Sequence, residues 1–290
     1  MATGSPLMLE GHVKDIGSLD VRRMLPSARR RRVGPFVFFD HFGPAVLPAG
    51  EGMDVRPHPH IGLSTLSYLF DGQILHRDSL GFTQAIEPGA VNWMTAGRGI
   101  VHSERTAPDW RARDFGLHGV QIWIALPDGS EETEPAFTHH PADSLPVIER
   151  EGLRMILLAG SAYDSRSPVP THSPLFCLHA ELRQGATLSL PDGYAERAAY
   201  LVSGKMRYGG AELNEHQLLV VDGEAPARLT AVADSRLVLF GGAPLASDRI
   251  VWWNFVARDR DRLEAAKADW REGRFAAVPG DDEFIPLPSD

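Results

Sequence analysis

Two short runs of this chain place metal-binding side chains at strand spacing. RPHPHIG (Arg56 to Gly62) carries His58 and His60, each after a proline, and GIVHSE carries His102 and Glu104. In a strand, residues two apart face the same side, so each run offers two ligand-type side chains from one face. If the two strands face each other inside one barrel, three imidazoles and a carboxylate converge, a sufficient set for a divalent metal. Iron, nickel, copper, manganese and zinc all accept such donors. An HxH pair alone is as well explained by two surface histidines; the HxE run in the same barrel-sized block makes it a candidate site. Pro57 and Pro59 cannot donate to a ladder, which places their strand at a sheet edge or barrel mouth, within reach of a substrate.

The surrounding pattern supplies strands to position these residues. LSTLSYLF and QILHRD alternate about Asp71-Gly72, a hairpin signal. FTQAIEPGAVNWMT gives two more strands about Pro88-Gly89, and GLHGVQIWIALP gives another. VGPFVFFDHFGP reads as a buried strand followed by a turn. Many short strands suit a sandwich or barrel. An acidic, proline-bearing stretch at 128–150 reads as a connection between halves. Beyond it, Tyr200 and Gly204 repeat the spacing of Tyr68 and Gly72, a loose internal repeat that points to two similar barrels. Near the end, Leu263, Ala266 and Trp270 fall at helical spacing with Gly273 as a stop. The final VPGDDEFIPLPSD reads as a tail packed on a barrel. The expected architecture is all-β, two antiparallel barrels over 1–135 and 136–290, with a short C-terminal α-helix.

Composition removes other classes. A net charge of −9 argues against a chain built to coat nucleic acid or an anionic membrane. The basic run Arg29 to Arg32 therefore reads as a solvated turn. Cys177 is the only cysteine, so an intrachain disulfide and a thiolate metal cluster are excluded; it reads as a small core residue. The sequence shows neither a signal peptide nor an apolar run of ~20 residues, so a soluble protein of the reducing cytoplasm is expected.

Several residues admit two readings. His76 either lines the pocket and rests against a ligand or is an exposed strand histidine paired with Asp78. Gln121 and Trp123 face either the cavity or, as preferred here, ordinary barrel packing. His41 reads as structural near a turn, and His139 and His140 as solvent-exposed. Gly97-Arg98-Gly99 reads as a tight loop returning the chain to the ligand strand, not as a phosphate loop.

HPHIGLSTLSYLFDGQILHRDSLG, IEPGAVNWMTAGRGIVHSE, VGPFVFFDHFGP and RIVWWNFVARDRDRLEAAKADWREGRF together resemble the pirin branch of the cupins, over nearly the whole chain. The resemblance implies a bicupin whose N-terminal barrel alone holds metal, usually iron, through His58, His60, His102 and Glu104. The second barrel has no HxH or HxE run and is expected to be metal-free. Many cupins carry a glutamate four residues after the second histidine; here Ser64 stands there, which leaves the pocket's polarity open. Two functions follow from the resemblance. One is a dioxygenase of the quercetin 2,3-dioxygenase type, taking a flavonol-like aromatic substrate and dioxygen, with Glu104 as the base for the substrate hydroxyl. The other is a redox-sensing regulator that contacts transcription factors or metabolic enzymes. A third, on fold grounds alone, is a metal cupin of another catalytic type.

Overall fold

The computed structural model describes residues 6–15 and 19–288. The first five residues of the stretch read as leader-free, and the last two of the C-terminal tail, lie outside it. The chain forms two compact units, each assembled from three segments rather than one. One comprises 1–13, 22–39 and 143–245; the other comprises 14–21, 40–142 and 246–290. The chain leaves the second unit for the first between Ala142 and Asp143, and returns between Leu245 and Ala246. The C-terminal helix and tail, read from sequence as part of the second barrel, thus belong to the unit that carries His58 to Glu104.

Both units are cupin-like β-sandwiches of open sheets rather than closed barrels. In the unit of residues 143–245, a sheet runs Leu7–Glu10, Gln217–Asp222, Glu196–Ser203, Ser235–Gly242, Leu175–Leu182, Leu153–Ala162, Val147–Arg150. A four-stranded sheet, Thr187–Ser189, Arg228–Ala231, Lys205–Tyr208, Ala211–Asn214, completes it. Its interior is aliphatic, with Met155, Leu157, Leu178, Leu201, Met206 and Leu229 buried together. Cys177 is buried and its thiol is pushed up by that burial, as a packing residue requires. The arginine run is absorbed locally: Arg30 pairs with Asp222 and Glu196, and Arg32 with Glu196.

In the other unit, a four-stranded sheet is ordered Asp54–His60, Ile100–Arg105, Ile74–Asp78, Thr83–Ile86. Its larger sheet orders Ala136–His140, Val91–Thr95, Leu63–Asp71 and Phe115–Ala125, followed by the 40–47 portion of strand Phe36–Leu47. Asp71-Gly72 is not a hairpin. Strand 63–71 lies in the larger sheet and strand 74–78 in the smaller, so the turn carries the chain across the sandwich. The Pro88-Gly89 turn does the same, and Gly204 does so in the other unit. Alternation fixes that each segment is a strand, but the partner is chosen by non-local burial. Strand 36–47 also runs on through Gly43-Pro44, where a turn was expected.

The 54–60 strand is an edge strand, as its prolines predict. The C-terminal segment covers that edge. Ile61 bridges Phe255 in parallel, Val256 N–H donates to the Ile61 carbonyl, and Ile285 N–H donates to the Pro57 carbonyl at 2.8 Å. Gly62 makes this approach practicable: its φ is +69°, and a Cβ there would meet the Val256 carbonyl oxygen at 2.1 Å. Behind the 250–257 hairpin lies helix Arg260–Arg271, capped by Asp259 accepting from Arg262 N–H. Its Leu263 and Ala266 pack with Phe255 and Ile61. Among the described residues no helix is long and apolar enough to cross a membrane.

Candidate metal centre

The HxH and HxE strands do not face each other; they are neighbours in one sheet. His102 lies opposite His58 and Ile100 opposite His60, antiparallel. The register then slips, so that Glu104 lies opposite Val55. Residues 56 and 57 on one strand thus share the place of Ser103 on the other, an arrangement suited to Pro57, which has no N–H to pair. At this bulge the Arg56 carbonyl lies 2.8 Å from His58 Nδ1. His60 Nδ1 lies 2.9 Å from the Asn254 carbonyl of the C-terminal hairpin. A carbonyl only accepts, so both rings hold their proton on Nδ1 and leave Nε2 with a lone pair.

The three imidazoles of His58, His60 and His102 offer ligand atoms within 4.8 Å of one another, all buried. His60 Nε2 and His102 Nε2 are 3.1 Å apart. Burial holds His60 and His102 well below the usual imidazole range, and the neighbouring rings add to the shift. Burial lowers His58 too, against the opposing pull of the Arg56 carbonyl and the Glu104 charge. The rings are therefore neutral at pH 7, the form that binds a metal. Buried lone pairs aimed at one another repel, and a cation between them removes the conflict. The donor set fits a transition metal on this ground.

Glu104 is held differently. Gln121 donates its amide to both carboxylate oxygens, at 2.9 and 2.8 Å, and Ser67 Oγ donates to one at 3.2 Å. Trp123 sets its indole against His60, ring centroids 5.1 Å apart at 76°. Gln121 and Trp123 thus face the centre and are not ordinary packing. They project from the larger sheet because they pair with Ser67 and Thr65, the inward residues of strand 63–71. The same parity turns Ser64 away. It lies opposite Thr95 and bonds to that hydroxyl at 3.1 Å, so the pocket's polarity is set by Ser67 instead.

His76 is buried, not exposed: it rests against His102, and its pairing with Asp78 is made inside the fold. Its Nε2 lies 2.9 Å from Asp78 Oδ2, and its Nδ1 lies 3.4 Å from His102 Nδ1. Phe137 stacks on it at 4.3 Å. His139 and His140, expected in solvent, are half-buried on strand 136–140; His139 Nδ1 meets Asn92 Oδ1 at 2.7 Å. His41 is buried, its Nε2 lying 2.8 Å from that of the half-buried His118, on a continuous strand rather than beside a turn. The partners that sequence reasoning missed, the carbonyls of Arg56 and Asn254, belong to the backbone and carry no side-chain signal. Ser67 is one of many strand serines. For His76 and Asp78 the signal was present, an HxD run at the same spacing as the HxH.

Comparison with known proteins gives the same frame. The family model described as Pirin matches residues 18–124, and that of the Pirin C-terminal cupin domain matches 177–276. A Pirin-like protein of Caulobacter vibrioides is 48% identical, covering 97% of this chain and 99% of its own. Human Pirin is 29% identical over 88% of this chain and 87% of its own. The crystal structure of a quercetin 2,3-dioxygenase from Acinetobacter baumannii superposes with a TM-score of 0.91 at 36% identity, covering 98% of this chain and 95% of that one. With two cupin units, both family domains matched and near-full-length relatives, the chain belongs to the pirin family.

Proposed function

We propose that this protein is a metal-dependent dioxygenase of the quercetin 2,3-dioxygenase type, with iron as the first candidate metal and a flavonol-like aromatic substrate. One observation carries the reading: three neutral, buried imidazoles converge, and the charge of Glu104, a buried carboxylate held by Gln121 and Ser67 outside that cluster, reaches His58. The likeness over nearly the full chain to the Acinetobacter baumannii quercetin 2,3-dioxygenase supports the choice of reaction. His58, His60 and His102 would hold the ion, with Glu104 as the carboxylate ligand. When bound, the ion supplies a Lewis-acidic, redox-active position for an ionised substrate oxygen and for dioxygen.

The chain's own residues do the rest. Glu104 takes the proton of the substrate hydroxyl on one carboxylate oxygen. Gln121 keeps both oxygens oriented through that transfer, and Ser67 steadies Oε1. Trp123, buried against His60, forms an apolar wall that keeps water from the reacting atoms.

Oxygen uptake with quercetin, on protein loaded separately with iron, manganese, cobalt, nickel or copper, tests the proposal. Consumption that depends on both metal and flavonol is expected. No uptake by any form overturns the dioxygenase reading and leaves regulation by protein contact, for which ferrous and ferric protein should capture different partners.

A further inference from the structure

The imidazoles of His58 and His60 have their tautomers fixed by backbone carbonyls. Among the described residues no carbonyl plays that role for His102; its Nδ1 faces the Nδ1 of another ring, His76. Two lone pairs at this separation would repel, so one nitrogen carries a proton. Which one is decided a step further out. Asp78 is fully buried, and its Oδ2 lies 2.9 Å from His76 Nε2. A carboxylate accepts, so the proton of His76 sits on Nε2 and its Nδ1 is bare. The proton between the two rings is then that of His102, whose Nε2 is freed toward His58 and His60.

Asp78 is itself fixed. Its Oδ1 accepts from Leu80 N–H at 2.9 Å and from Phe82 N–H at 3.1 Å, in the turn after strand 74–78. The His76 ring is clamped by Phe137, nearly parallel at 12°. Strand pairing sets Asp78 opposite His102 and His76 opposite Glu104, so the four side chains share one face of the small sheet. We propose that Asp78 and His76 are positioning residues: a carboxylate–imidazole pair that fixes the tautomer of His102 and so completes the metal site. This rests on the metal-centre reading above. It assigns the relay a part in binding, separate from whichever reaction follows.

The test uses zinc, which is diamagnetic and needs no turnover. In zinc-loaded wild-type protein, the ring nitrogen shifts of His102 should report a proton on Nδ1 and metal on Nε2. Those of His76 should report a proton on Nε2 and a bare Nδ1. Zinc affinity, measured by competition with a chelator, should fall about 10–100-fold in Asp78→Asn and in His76→Phe, the range seen for lost partners of metal-bound histidines. His76→Gln, which restores an acceptor near His102, should recover much of the loss, whereas a purely space-filling role would favour the phenylalanine. If a variant does not fold, the wild-type spectrum decides. A His76 proton on Nδ1, or full zinc affinity in both Asp78→Asn and His76→Phe, overturns the relay while the metal centre stands. Failure of the wild type to bind zinc, nickel or iron removes both.

Discussion

Glu104 and the three histidines differ in what holds them, and the difference sorts their expected phenotypes. Each histidine gives its Nδ1 to a partner and its Nε2 to the cluster. Removing one, as in His58→Ala or His102→Ala, should abolish stoichiometric metal, measured by elemental analysis of purified protein. Full metal content in both variants would sink the site. Glu104 shares its carboxylate with Gln121 and Ser67, so Glu104→Gln tests the base more than the ligand. In metal-loaded protein its quercetin-dependent oxygen uptake should fall by about 10²–10⁴, the usual contribution of a positioned base. Gln121→Leu should fall less, because it misorients the carboxylate without removing it. Equal rates for wild type and Glu104→Gln would exclude Glu104 as the base.

At the scale of elements, the site depends on a segment far away in sequence. The 250–257 hairpin supplies the carbonyl to His60, and the tail seals the edge of strand 54–60. Arg105 ties this tail down with a bidentate pair to Asp281, at 2.8 Å for each bond, and a further contact to Glu283. Trp270 adds a donor to the Ile285 carbonyl. Gly62→Ala should cost about 1–3 kcal/mol in chemical denaturation, since it combines a positive φ with a collision against the Val256 backbone. Truncation before Asp281 should raise amide exchange in strand 54–60 while leaving strand 175–182 protected. Unchanged exchange at 54–60 would show that the tail does not support the ligand strand.

For the whole molecule, the buried histidines link stability to pH. Burial lowers His58, His60 and His102 from their ordinary value. Below the unfolded value of about 6.5, the unfolded chain binds protons that the folded chain refuses. Stability is therefore fully present above about pH 6.5 and is lost as pH falls toward the depressed folded values. Metal binding follows the same direction, because the ligands must be neutral. Denaturant midpoints at pH 7.5, 6.5 and 5.5 should decline for metal-free protein. Zinc should raise the midpoint most at pH 7.5. A midpoint that is flat or rises on acidification would contradict the neutral cluster.

By itself, the sequence determined the strands, the single-cysteine chemistry and the coincidence of HxH, HxE and HxD runs at period two. These are local properties: side-chain alternation, ligand type and the missing N–H of proline are written residue by residue. The edge position of strand 54–60 followed from Pro57 and Pro59 for the same reason. Tertiary structure decided which strands pair across the Asp71-Gly72 and Pro88-Gly89 turns. It also decided that Ser67 rather than Ser64 faces the centre, and that Gln121 and Trp123 line it. It brought Asn254 to His60 and placed the C-terminal helix in the unit of residues 40–142 rather than that of residues 143–245. Those choices turn on non-local burial and on backbone carbonyls, and neither leaves a pattern in the order of side chains.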